Sequence, residues 1–461
     1  MEHSPRFSTD HCYHKNMFAL YLDALLYAFM VGAGETYFIT YAIHLGHSEL
    51  VAGLIGTLPI VIGGFIQLQA PLLLNRFQSY KGFTATFAFV QVLSFLALIL
   101  LKEQVRESVP FLFTLIIVYW GAGLIISPAW STWVCELLGV DRVRNFFSTR
   151  SILTSVGALV GLVVGGVLLN YKENGFRVDS FLILFALSGL ARLFSVAAIL
   201  SHQSIPFRTS PIKFINPFNT SLKSNSPETY QFITFTSFFK IGVFFSASFF
   251  APYMLVQLEF TFLQYMYTLV AAYIGRVLAS QYLRKNISRF EINKLYRLSA
   301  FVITFIPVLW VGIKSLGYLI FLEVLAGVAW GVFEVCFYVT LFEKVPKEEQ
   351  VEVNTYYNLV HTICIGIGCL FGAVTFHSLG PSITSYYQVF VISAIIRLTT
   401  FAKIPKMKIK VRFKQIPALS KIFAVRPNIG AVSRPIWGLA RKYKKIPKLK
   451  PDPVKTNSSQ Q

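Results

Sequence analysis

Charge is what this sequence has too little of. Of 461 residues, only 14% are Asp, Glu, Lys or Arg, where a soluble globular chain carries about 25%. Charge this sparse cannot cover a water-facing surface, and 44 Phe with 22 Tyr would leave broad sticky patches. A soluble single-core enzyme is excluded, and so is dominant disorder, which needs the opposite composition. Cysteine is equally scarce. The five, at 12, 135, 336, 364 and 369, are odd in number and show no paired spacing, so neither a disulfide framework nor a zinc site is expected. They read as reduced thiols used for packing. Of eight His, six lie near the N-terminus or in loops; His361 and His377 are sixteen apart, more than four helical turns, and cannot share a metal. No G-x-x-x-x-G-K-[ST] run is present to cradle a nucleotide. No metal, no cofactor and no enzymatic activity are expected.

What is abundant is long apolar runs. A membrane helix needs about 20 mainly apolar residues, and twelve windows qualify: 17–43, 50–74, 83–101, 109–134, 147–169, 180–200, 231–255, 260–283, 295–313, 317–341, 354–378 and 382–402. An outer-membrane barrel would alternate instead of running apolar. The fold class is an all-α polytopic membrane protein. The sixteen residues before the first window carry no small-residue cleavage site after them, so the first span reads as a retained anchor.

The basic excess, 42 Lys and Arg against 21 Asp and Glu, sits beside these windows, so membrane orientation explains it and a nucleic-acid partner is not expected. With the N-terminus cytoplasmic, the inside segments hold 31 Lys and Arg and the outside loops five. Without the tail the ratio is still 15 to five. Both termini are therefore expected in the cytoplasm. The polar stretch 201–230 divides the spans six and six. The expected organisation is a cytoplasmic N-terminus 1–16, a six-helix bundle 17–200, a cytoplasmic linker 201–230, a second bundle 231–402 and a basic tail 403–461.

The halves match at an offset of 207 residues: Glu136 falls on Glu343, Gly161 on Gly368 and Gly165 on Gly372. Together with the symmetric span count, this argues for a duplicated bundle. Gly157, Gly161 and Gly165, like Gly366, Gly368 and Gly372, read as small-residue ladders for close helix packing.

With twelve spans, a mid-chain cytoplasmic loop, and Ser127-Pro128-Ala129-Trp130-Ser131-Thr132-Trp133 leading to the basic turn Arg142-Val143-Arg144-Asn145-Phe146-Phe147-Ser148-Thr149-Arg150, residues 17–402 resemble the major facilitator superfamily. Departures from its motifs are plain. After span 2, Asn75-Arg76 keeps the family's Arg but not its Asp or Gly residues. The span-four R-x-x-Q-G of proton-coupled members would need Arg at Ile117. The antiporter signature appears as Gly161-Leu162-Val163-Val164-Gly165-Gly166, without Pro. The resemblance therefore implies the fold but not the drug-exporting branch. It implies two pseudo-symmetric six-helix bundles with spans 1, 4, 7 and 10 around a central cavity, and a cytoplasmic gate at Arg76, Arg142, Arg144 and Arg150.

A charge near the bilayer centre costs about 2.5–3.5 kcal/mol on insertion scales, so deep charges are expected to face a cavity or a partner. They are Asp23, Glu35, Lys240, Glu323 and Glu334, on spans 1, 7 and 10. Arg150, Arg192, Arg276, Arg297 and Arg397, nearer span ends, are expected to snorkel. Glu323, Gly327, Trp330 and Glu334 are spaced to share one face of span 10, and Thr236, Lys240, Ala247 and Ala251 one face of span 7. Lys240 and Glu334 suit each other as partners, either as a static bridge or as a pair that changes during transport. The substrate-binding candidates are Tyr119, Trp120, Ser127, Lys240, Gly327, Trp330 and Glu334. Glu35, after Gly32-Ala33-Gly34, is the first candidate for proton coupling, with Asp23 and Glu323. Glu35 read structurally is a carboxylate bonded to neighbouring helices, and Asp23 one that reaches headgroup water.

The tail, with 16 Lys and Arg and repeated Pro, cannot form a long helix and is expected to lie on anionic lipid. The function expected is secondary transport of a small amphiphilic or zwitterionic solute by alternating access, with possible proton coupling, by a monomer in a bacterial inner membrane. The alternative is a non-transporting sensor or scaffold on the same fold.

Overall fold

The computed structural model describes residues 10–171, 179–202, 227–286, 289–344, 350–405, 423–426 and 430–433. Hydroxyl and carboxylate side chains start several of the spans. Ser48, Ser79, Ser108 and Ser382 accept from backbone N–H groups three residues on, and Asp179 accepts from Phe181 N. Each satisfies a donor that the first helical turn leaves orphaned.

Span 1 comprises Asp10–Ala33, a 3-10 turn Glu35–Tyr37 and Phe38–His44. Its helix begins at Asp10, seven residues before the window read from hydropathy. Span 2 is broken into Glu49–Ile55, Leu58–Gln67 and Ala70–Phe77, with Pro59 and Pro71 each near the start of the next piece, where the missing N–H costs nothing. Span 3 is Tyr80–Leu100 and span 6 is Ser180–Leu200. Spans 4 and 5 form one continuous helical run, Val109–Asn170. Along a straight helix, residues twenty apart would be separated by about 30 Å. Yet the Arg150 guanidinium lies 4.3 Å from the Trp130 ring centre, so the helix doubles back between its apolar limbs Val109–Leu138 and Thr149–Asn170.

In the second half, span 7 is Pro227–Ala247, Phe250–Pro252 and the π turn Tyr253–Gln257. Spans 8 to 12 are Phe262–Asn286, Ile292–Leu309, Leu316–Lys344, Gln350–Leu379 and Ile383–Phe401. Among the described residues, ten helices are long and apolar enough to cross a membrane; spans 8 and 12 take the two remaining places of a twelve-helix bundle pair. Phe423–Arg426 and Gly430–Ser433 pair as a small antiparallel hairpin in the tail, with the first strand beside the span 4–5 helix. The linker residues 203–226 and most of the basic tail lie outside the described residues.

The duplication is visible in packing. A Cβ on Gly161 would collide with the Phe29 carbonyl of span 1, and one on Gly368 with the Ile241 carbonyl of span 7. Gly157 likewise meets Leu25, and Gly372 meets Phe245. Spans 4 and 10 repeat the theme: Gly121 packs on Ile66 of span 2, and Gly327 on the Ala272 carbonyl of span 8. Backbones can approach this closely only where side chains are absent. Gly366 serves another contact, packing on Val61 of span 2 in the other bundle.

Span 2 therefore lies against span 11. Span 5 lies against span 8, where Gly166 meets Met266 and Tyr273 Oη donates to Ser155 O at 3.4 Å. Toward the face opposite the termini the bundles lock together. Thr57 and Ser248 share a 2.8 Å hydroxyl hydrogen bond. Gln257 Nε2 donates to Glu49 Oε1 at 3.0 Å, and Tyr386 Oη donates to Glu49 Oε2. Phe181 and Phe262 meet edge to face at 5.7 Å.

Candidate functional site

In the first bundle, Gly34 ends the regular helix of span 1, and Glu35 sits in the 3-10 turn that follows. The turn aims its carboxylate at span 4, where Tyr119 Oη donates to Glu35 Oε2 at 2.9 Å and also lies 3.8 Å from Met30 Sδ. Trp120 is buried edge-on to Tyr119. About two turns on, Ser127 is half-buried with its hydroxyl lacking a hydrogen-bond partner among the described residues.

Asp23 points elsewhere, as twelve residues of helix require. It is buried and turned inward, not toward headgroups. Ser195 Oγ donates to it at 2.7 Å, Arg192 Nη1 donates to Ser195 Oγ at 2.8 Å, and Arg192 Nη1 stands 3.9 Å from the carboxylate. Arg192 Nε also donates to Gln91 Oε1, and Gln91 Nε2 to the Tyr119 carbonyl. A polar chain across spans 1, 6, 3 and 4 thus joins Asp23 to the residue that holds Glu35. Arg192 does not snorkel, because the bundle interior offers it acceptors. Arg397 of span 12 repeats this in the second bundle, buried and donating to the carbonyls of Ile303, Gly242 and Val243 and to Ser246 Oγ.

In the second bundle, Lys240 Nζ lies over Trp330 at 4.1 Å and nearer its rim over Phe333 at 6.0 Å. This is cation–π geometry. Glu334 is buried and acts on Lys240 through space, but among the described ion pairs none joins the two directly. The ammonium is held by aromatic faces, and the carboxylate acts on it from farther off. Thr236, one turn before Lys240, shares a 2.7 Å hydroxyl hydrogen bond with Tyr296 Oη of span 9, whose ring stacks on Phe333. Glu323 lies in the electrostatic neighbourhood of Arg276 and Tyr265 on span 8. Gly327 forms the span 8 crossing, so its role in the fold is packing. His361, which the sequence suggested only as a failed metal ligand, is within electrostatic reach of Lys240 and packs on Tyr357 at 4.9 Å. A single His on an apolar helix offered no signal for this.

The basic residues near the termini separate. Arg76 is exposed in the last turn of span 2. Arg150 is buried on Trp130. Arg142 and Arg144 are on the backbone of the span 4–5 reversal, but their side chains lie outside the described residues. Among the described residues no cluster of His, Cys, Asp and Glu could hold a metal.

No curated protein matches this chain in sequence. Solved structures are similar in fold. A bacterial homolog of the human lysosomal transporter Spinster, in its inward-facing and unoccupied form, superposes with a TM-score of 0.65 at 14% identity, covering 90% of this chain and 98% of that one. A D-xylose–proton symporter gives 0.65 at 12% identity, over 87% and 100%. The nucleoside transporter NupG gives 0.59 at 16% identity, over 86% and 99%. The sequence profile of the Major Facilitator Superfamily matches residues 20–369, so the bundles, their glycine-ladder crossings and the buried polar groups between them belong to a membrane transporter of the Major Facilitator Superfamily.

Proposed function

We propose that this protein carries a small amphiphilic or zwitterionic organic solute across the bilayer by rocking its two bundles about a mid-membrane site, coupled to protons. The lock at one face carries this reading. Glu49, Gln257 and Tyr386, with Thr57 and Ser248 below them, close the bundles together beside breaks in spans 1, 2 and 7. Interrupted helices at a bundle interface supply free backbone groups and a hinge, as carriers need. Fold relatives named for nucleosides and D-xylose support a polar organic solute.

Lys240, Trp330 and Glu334 from the second bundle and Tyr119, Trp120 and Ser127 from the first would contact the solute, with Gly327 permitting the close crossing behind Trp330. Glu35, with Asp23 and Glu323, would carry the coupling proton. Arg76, Arg142, Arg144 and Arg150 would close the opposite, cytoplasmic face when this lock opens. The expected setting is a monomer in a bacterial inner membrane with both termini cytoplasmic and the basic tail on anionic lipid.

The test is a disulfide across the lock. Thr57→Cys with Ser248→Cys, in a Cys369→Ser background, is expected to cross-link and to abolish solute uptake into proteoliposomes, with recovery on reduction. Full flux through the cross-linked protein would defeat alternating access at this interface. Uptake of a nucleoside, sugar and zwitterion panel that survives a protonophore would remove proton coupling. Glu334→Gln should impair flux while membrane insertion stays normal.

A further inference from the structure

Lys240 is a cation without a hydrogen-bond acceptor among the described residues. Its ammonium is held by ring faces at 4.1 and 6.0 Å, and Glu334 balances it only through space. Aromatic faces attract a cation but leave its three N–H donors unused. Within its electrostatic reach, on span 11, His361 has a buried Nδ1 with no hydrogen-bond partner among the described residues. Its ring is fixed against Tyr357, one turn earlier on the same helix. A buried nitrogen left unbonded is destabilising, so an arrangement that keeps one implies a partner present at another stage. Across the bundle interface, span 2 offers Val61 and Gly64 to this part of span 11, and neither side chain has polar atoms.

We propose that Lys240 and His361 form a donor pair for the anionic group of the transported solute, with Trp330, Phe333 and Tyr357 as walls for a planar ring. The substrate class is an aromatic organic acid, as carboxylate or phosphate monoester. Its oxygens accept from Lys240 Nζ and from His361 Nδ1–H, while Glu334 stays behind the ammonium and holds it in place. The inference rests on the transport reading and names the chemistry of its site. A neutral amide isostere brings no charge to the ammonium and turns an N–H donor toward one of the two donors, which is what makes such a site selective. His361 is a binding residue that residue spacing could not reveal.

The test uses the purified full chain with benzoate and phenyl phosphate as anionic probes and benzamide as the neutral isostere, followed by thermal shift. Both anions should stabilise the wild type, and benzamide should not. His361→Leu, which keeps the bulk and removes the donor, should weaken anion binding about tenfold, as expected for one charge-assisted hydrogen bond. His361→Asn, whose amide nitrogen can stand near Nδ1, should retain most of the affinity. Lys240→Gln should erase the preference for anions over benzamide. The proposal is overturned if benzoate and benzamide act alike, if neither anion binds the wild type, or if His361→Leu keeps full anion preference. The Thr57–Ser248 cross-link reads alternating access without any of these probes. A protein that passes that test and fails this one is a carrier of a different solute class.

Discussion

His202 and Asp179 show how single residues tie the ends of the first bundle. His202 follows span 6, buried edge-on to Trp133 at 5.4 Å, with Nδ1 3.3 Å from Asn16 Oδ1. Burial pushes its imidazole down to about 4, partly offset by the Asp23 carboxylate and reinforced by Lys81. The folded state therefore holds the neutral ring. Its contribution is full above the unfolded value near 6.5 and is lost as pH falls from there to about 4, a change on the order of 3 kcal/mol. Asp179, at the other face, is pushed up by burial but pulled further down by Lys102 Nζ at 2.7 Å, Phe181 N–H and His44, to about 2. Its contribution is present above about 4 and disappears as pH falls through 2. Melting temperature measured from pH 7 to 4 should fall, and His202→Gln should flatten that slope. Asp179→Asn should lower the melting temperature at pH 7 but leave the slope between 7 and 4 unchanged. Asp23 shows the limit of sequence at this scale. Its depth was legible, but its partner Ser195 is 172 residues away and could not be read from span 1.

Helices pair here through missing side chains. Gly161 and Gly368 occupy equivalent places in the two bundles, each against a carbonyl of the first helix of its half. Any side chain there must push the backbones apart. Gly161→Leu and Gly368→Leu should each destabilise the fold by about 2–4 kcal/mol through overpacking, read as a loss of monodisperse protein after detergent extraction. Gly317, where a Cβ would meet nothing, should accept Ala with no such loss. The glycine ladders were legible because a four-residue spacing is visible in one dimension. The union of spans 4 and 5 into one helical run was not, because the turn uses ordinary helix-forming residues. The breaks in spans 1, 2 and 7 were legible in part: Gly34, Pro59 and Pro71 mark the first two, and Pro252, in the short piece after Ser248–Phe249, marks the third.

Across the whole molecule, one carboxylate spans the bundle divide. Glu49 accepts from Gln257 and Tyr386, on spans 7 and 12, while belonging to span 2. Hydrogen bonds to a charged group contribute about 1.5–3 kcal/mol each. Glu49→Ala removes both, and the equilibrium should move toward opening of this face by at least tenfold. Labelling of a cysteine placed at Thr57 by a membrane-impermeant maleimide should accelerate accordingly. An unchanged labelling rate would mean that the lock depends on Thr57–Ser248 and ring packing instead. Glu49 was not singled out from the sequence, because at the edge of a span it resembles any headgroup-level charge.

Sequence alone determined that this chain crosses a membrane many times, in two related halves, with a few ionisable groups too deep to be accidental. These properties follow from the cost of placing polar atoms in hydrocarbon, which acts on every residue independently and so leaves its trace in composition and periodicity. Tertiary structure decided the partnerships: Lys240 on Trp330 beside His361, Glu35 under Tyr119, Asp23 with Ser195 and Arg192, and Glu49 across the interface. Each of these depends on the rotation and depth of helices distant in the chain, and a hydrogen bond or ring contact forms or fails within about an ångström, a distance that no spacing along one strand of sequence encodes.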